Sequence, residues 1–100
     1  MPKVNTQVSN GLGKEQAKEK LDYMVQRMER DYGDKIKNLE GVWDEDVLNI
    51  SFEAMGFKIT SMVAVSEDVV NVESQLPMAA LPFKGMVQSR ITDTLSKMLS

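Results

Sequence analysis

The spacing of apolar residues changes period along this chain, and that change constrains the fold more than any other feature. Val4, Thr6 and Val8 alternate with Asn5 and Gln7, the two-residue period of a strand packed on one face. Asn10-Gly11 breaks it. From Lys14 the period becomes helical: Ala17, Leu21, Met24, Val25, Met28 and Tyr32 fall on one stripe, which predicts a helix over 14–32. Gly13 with Gln16 has the spacing of a capping box, Leu12 with Ala17 that of a hydrophobic staple, and Gly33 is expected to end the helix in a left-handed conformation.

The two-residue period then returns four times. Leu39, Gly41 and Trp43 share a face; so do Leu48, Ile50, Phe52 and Ala54, then Phe57, Ile59, Val63 and Val65, and finally Val70, Val72 and Leu76. Asp44-Glu45-Asp46, Met55-Gly56 and Ser66-Glu67-Asp68 are the turns between them. Such short connections make neighbouring strands antiparallel. Leu76-Pro77 ends the sheet and Pro82 limits where a last helix can begin. Phe83, Met86, Val87, Ile91, Leu95, Met98 and Leu99 supply that helix with its stripe.

The element order is therefore β-α-β-β-β-β-α, with every strand apolar on one side. Two amphipathic helices can bury their stripes only on that side, giving an α+β two-layer sandwich with both helices packed on one face of an antiparallel sheet. The first strand belongs either antiparallel beside the fifth, in order 2-3-4-5-1, or parallel beside the second through a right-handed crossover. The first arrangement is the preferred one. The layout is a reduced analogue of a helix-grip arrangement, and layout carries no function. One domain over 1–100 is expected, with an ordered core at about 3–99, since there is no repeat, linker or low-complexity tract.

The chain contains no cysteine and no histidine, which removes disulfides, thiolate nucleophiles, Cys/His zinc sites and His-based dyads. No cofactor, metal or catalytic residues are expected. The net charge of −3, without a basic cluster, argues against nucleic acid. Met1-Pro2-Lys3-Val4-Asn5 lacks the apolar region of a secretory signal, and no apolar run approaches the length of a membrane span. A cytoplasmic protein is the expectation.

Several residues invite a functional reading. Trp43 reads as a core aromatic or as the anchor of a pocket. Met24, Met28 and Met86 on the helix stripes, with Trp43, read as adaptable core packing or as the lining of a deformable apolar cavity. Asp44, Glu45 and Asp46 read as a solvated turn, because adjacent carboxylates diverge and lack the ligand spacing of a calcium loop. Glu53 and Glu73 lie on the wet sheet face with nothing to tune them for acid–base work. In Met78-Ala79-Ala80-Leu81-Pro82-Phe83 every residue is apolar. Leu81 and Phe83 either tuck under the sheet edge or join Met78 in an exposed lip that touches a hydrophobic particle or partner.

Taken together, Leu12-Gly13 opening a helix with Ala17, Trp43 before Asp44-Glu45-Asp46, the alternating apolars from Leu48 to Gly56, and Leu76-Pro77 before a last helix resemble the polyhydroxyalkanoic acid system family. The resemblance runs from about Val4 to Leu99. Members commonly carry His before the Leu-Gly, where this chain has Asn10-Gly11, and Gly where it has Ser61. No role of that histidine carries over. The resemblance implies a setting beside polyester storage granules and their coat proteins, and no established activity. Three functions follow as expectations: an accessory protein that touches the granule or granule proteins, an acyl-chain binder with a cavity between helices and sheet, and a homodimer joined through wet sheet faces or a strand edge.

Overall fold

The computed structural model describes residues 3–100, so Met1-Pro2 lie outside it. Its elements are β1 (Lys3–Ser9), α1 (Lys14–Tyr32), β2 (Ile36–Asp44), β3 (Val47–Ala54), β4 (Phe57–Val65), β5 (Val69–Gln75), a 3₁₀ segment (Met78–Phe83) and α2 (Lys84–Met98). The sheet has five strands in the order β1-β5-β4-β3-β2, every neighbouring pair antiparallel. The first strand thus lies beside the fifth, the preferred arrangement above.

Register follows the alternation. Thr6 faces Val72, Val8 faces Val70, Leu48 faces Val63 and Phe52 faces Ile59. These side chains lie under the helices, where Ala17, Leu21, Leu95 and Leu99 close over them. Ser61 and Ser74 also point inward, opposite one another, and their hydroxyls bond at 2.8 Å, which lets both sit among aliphatic neighbours. A smaller cluster of Val4, Leu76 and Ala80 seats the 3₁₀ segment against the sheet.

Four local details differ from the sequence reading. Gly33 is right-handed, at φ −60°; a Cβ there would stand 2.6 Å from the Glu29 carbonyl oxygen, so glycine is needed for close approach and not for positive φ. The amino end of α1 is capped from a distance: the Lys14 amide donates to the Glu67 carboxylate at 3.1 and 3.3 Å, and Gln16 makes no capping bond. β2 begins at Ile36, ahead of Leu39, because a bulge with Asn38 at φ 55° adds a residue opposite Phe52 and brings both apolar side chains to the core face. In α2 the residues that face the sheet are Val87, Ile91, Leu95 and Leu99; Met86 belongs to the next ridge, Met86-Arg90-Thr94-Met98, and is exposed.

The two ends of the sandwich differ in character. At one end, β1 leaves the sheet through Asn10, whose side-chain amide donates to the Ser66 carbonyl at 2.9 Å and accepts from the Leu12 amide at 3.0 Å. The Gly11 amide donates to the Leu99 carbonyl at 2.8 Å, so the start of α1, the β4–β5 turn and the end of α2 are bound together. The other end holds the β3–β4 turn and the exit from β5. Asn10 is buried and uses both ends of its amide. Asn10→Ala is expected to lower the unfolding free energy by about 2 kcal/mol through its unpaired partners, measured by urea denaturation. A change below about 0.5 kcal/mol would mean the tie carries no stability.

Candidate functional site

β3 and β5 run the same way with β4 between them, so the Met55-Gly56 turn and the 3₁₀ segment leave the sheet at the same end. Adjacent strands lie about 4.8 Å apart, so the strands these two segments leave are about 10 Å apart across the sheet, with the turn projecting three residues beyond the end of β5. α1 also ends there, at Tyr32, and α2 begins there. Nine large apolar side chains are exposed among the described residues, and six belong to this end: Tyr32, Met55, Met78, Leu81, Phe83 and Met86. Of the other three, Val42 and Met62 lie on the open sheet face and Tyr23 on α1.

The 3₁₀ segment is held so that it shows this surface. Pro77 is extended, the Ala80 amide returns to the Pro77 carbonyl at 2.9 Å, and Ala80 is buried against Val4 and Leu76. Three residues per turn place Met78 and Leu81 together on the side away from that anchor. Met78 is 75% exposed, Phe83 46% and Leu81 40%. The tucked arrangement of Leu81 and Phe83 is not adopted; Ala80 takes the buried place.

Met55 is the least expected member. It sits at φ 53° and Gly56 at φ 81°, the pair of positive angles of a two-residue type I′ hairpin. Asn or Asp is the favoured residue at the first of these positions, and a side chain like methionine is strained there. Yet Met55 is 82% exposed and gains no packing for that strain. Asn38 at φ 55° and Glu45 at φ 54° share this conformation, and Met55 is the apolar one of the three.

The remaining candidates are placed elsewhere. Met24 and Met28 line an open groove between α1 and α2. Trp43 is on the other flank of α1, half-buried against the main core, with its indole N–H donating to Asp22 at 3.2 Å and the Lys18 ammonium 5.2 Å from its ring centre. Met86, 63% exposed, lines no cavity with them. Trp43 and Met86 are thus not brought together with Met24 and Met28.

The carboxylates are spent on separate structural contacts. Asp46 reaches α1, 3.1 Å from Lys14 and 3.3 Å from Lys18. Hydrogen bonds from these two ammonium groups hold its carboxyl below the usual range, and the bond to Asp46 raises Lys14. The support from Asp46 is therefore lost as pH falls through that lowered range, and the support from Lys14 only above the ordinary lysine range. Glu53 accepts from Asn38 at 3.2 Å and Glu73 pairs with Lys3 at 3.6 Å. Lys58 and Met62, opposite Glu53 and Glu73, are four residues apart on β4, which separates the two acids by about 13 Å along the strands and about 10 Å across them. Among the described residues no three acids gather as a metal site, and no helix is long and apolar enough to cross a membrane.

Residues 4–99 match the family described as Putative polyhydroxyalkanoic acid system protein. The chain belongs to this family. No curated protein and no solved structure matches it. The family name links the chain to the polyhydroxyalkanoate granule system and stops short of an activity. The family resemblance puts a His where Asn10-Gly11 stands here, and Asn10 is taken up by backbone contacts to Ser66 and Leu12. Ser61, in the place of a Gly, is paired with Ser74.

Sequence reasoning singled out Met78, Leu81 and Phe83 and missed that Met55 and Tyr32 are exposed at the same end. The signal for Met55 was present in Met55-Gly56, where Asn-Gly is the usual pair. Met55→Asn is expected to raise the unfolding free energy by about 0.5–1 kcal/mol by relieving the left-handed strain, measured by denaturant titration. Destabilisation would show that Met55 supports the fold.

Proposed function

We propose that this chain is a non-catalytic accessory protein of the polyhydroxyalkanoate storage-granule system, which sets its apolar end against the granule surface or a granule-bound protein. The observation that carries this reading is the gathering of six exposed apolar side chains at one end of the sandwich. The opposite end carries acidic turns at Asp44-Glu45-Asp46 and Ser66-Glu67-Asp68. Such polarity suits a protein that stands on an apolar surface with its charged end in water. The apolar end is built without loss to the core, since its side chains project from segments anchored by Ala80, Leu76 and Val4.

The non-catalytic part of the reading is supported by the dispersal of the ionisable groups. Asp22, Asp46, Glu53, Glu67 and Glu73 each serve a separate structural contact. In this reading the protein works in the cytoplasm, on the granule.

Co-sedimentation with purified granules tests this reading. The double variant Leu81→Asp/Phe83→Asp should melt like the wild type, because both side chains are exposed. It should weaken granule binding about tenfold or more, the effect of losing roughly 1.4 kcal/mol of apolar contact. Protein-free polyester particles in a parallel arm separate the polymer from its coat as the contact. Equal recovery of wild type and variant, or recovery of neither, would overturn the proposal.

A further inference from the structure

α1 and α2 run antiparallel over the sheet without packing along one another: α1 lies over β2 and β4, while α2 lies against β1. Among the described residues their polar link is a single contact, the Lys20 ammonium donating to the Met98 carbonyl at 3.4 Å. That contact lies toward the end of the sandwich opposite the apolar one. Between the helices an open groove of about 1060 Å³ remains, mostly apolar in its lining. The helical rise of about 1.5 Å per residue fixes what faces what. With Lys20 level with Met98, Met24 comes opposite Thr94, Met28 opposite Arg90, and Tyr32 opposite Met86. Met55 stands where the groove reaches the apolar end.

The charges in this groove select its occupant. Arg27 is paired with Asp31 at 3.4 Å and lies over the Tyr23 ring, 5.9 Å from its centre. Glu19 and Lys20 line the groove toward its polar end, where Lys20 donates to the Met98 carbonyl; Arg90, exposed on α2, lines it and makes no ion pair among the described residues. An unpaired guanidinium thus stands midway along a wall of methionines, in a chain whose net charge is −3. Guanidinium takes a carboxylate through two parallel hydrogen bonds. Methionine side chains adapt to an aliphatic chain of variable shape. The apolar lining excludes a small hydrophilic acid as the preferred partner, and the free cation disfavours a cationic amphiphile.

The geometry points to a binding site for one aliphatic monocarboxylate, its carboxylate on Arg90 and its chain along Met24, Met28 and Met98. Arg90 and Met98 are eight residues apart on one ridge, about 12 Å along the helix axis, which suits a medium-length chain. A fatty acid and a hydroxyalkanoic acid share this chemistry. The site shares Tyr32 and Met55 with the apolar end, but its carboxylate and chain contacts on Arg90, Met24, Met28 and Met98 do not depend on the granule contact.

Isothermal titration calorimetry tests the site on the full chain with decanoate, 3-hydroxydecanoate and decyltrimethylammonium, all kept below micelle formation. Both acids should bind saturably with one site per chain, and the tighter of the two names the source of the ligand. The ammonium compound should bind at least about tenfold more weakly. Arg90→Gln should reduce affinity for the acids roughly tenfold, the effect of one charge-assisted pair, and leave the ammonium compound unaffected. Thr94→Trp, which fills the groove from an exposed position, should abolish binding of both acids. Leu81→Asp/Phe83→Asp should bind the acids as the wild type does, so failure here and failure of granule contact are told apart. Absence of saturable binding by either acid, equal affinity for acid and ammonium, or an unchanged affinity in Arg90→Gln would overturn the proposal.

Discussion

Each helix is held to a different outer strand, and the rest of the molecule follows from that. α1 is drawn to β2 by Trp43, whose indole bonds Asp22 while Lys18 lies over its ring, and to the β2–β3 turn by Lys14 and Lys18 on Asp46. α2 is drawn to β1, where the Gln88 side chain donates to the Asn5 carbonyl at 3.0 Å. Five strands at about 4.8 Å spacing span roughly 19 Å between the outer two, while packed helices lie only about 8–10 Å apart. Helices drawn toward opposite edges meet only toward one end, where Lys20 reaches the Met98 carbonyl, and an open groove is left along the rest. A pair in contact would bury the methionines of both facing flanks and leave no free arginine between them.

The same separation explains why the ends differ. Where Asn10, Glu67 and Leu99 meet, hydrogen bonds and a helix cap close the sandwich with polar groups. At the other end the connections are the link over 33–35, a two-residue turn and a short 3₁₀ segment, all too small to cover the layer between helices and sheet. Apolar side chains there remain in water. Scattered exposed apolar residues are ordinary on a protein surface, whereas six of the nine large ones exposed among the described residues share this end.

The two helices and the buried face of the strands were legible in the sequence because each rests on periodicity, which averages over many residues; the place of β1 was not, since its alternation fits beside β5 or β2 alike, and pairing with β5 decides it. What was not legible depends on single contacts or on phase. The cap from Glu67 joins residues more than fifty positions apart, and nothing local announces it. The bulge at Asn38 shifts β2 by one residue and so recovers Ile36 for the core, a change invisible to strict alternation. Met86 and Val87 are adjacent and both apolar, so the stripe can be drawn through either; contact with the sheet decides for Val87. Met24 and Met28 lie on α1 along the open groove, while Trp43 was assigned to the same space from its strand alone. Its indole lies across α1 from the groove. Of the contact surface, Met78, Leu81 and Phe83 were read from composition, and Met55 and Tyr32 join them only through the topology.

The chain carries its own probes of which surface makes contact, since methionine oxidation reports exposure residue by residue. Oxidative footprinting of the free and granule-bound protein is expected to show Met55, Met78 and Met86 protected on the granule, with Met62 on the open sheet face oxidised equally in both states. Protection of Met62 with no change at Met55, Met78 and Met86 would contradict the account and move the contact to the sheet.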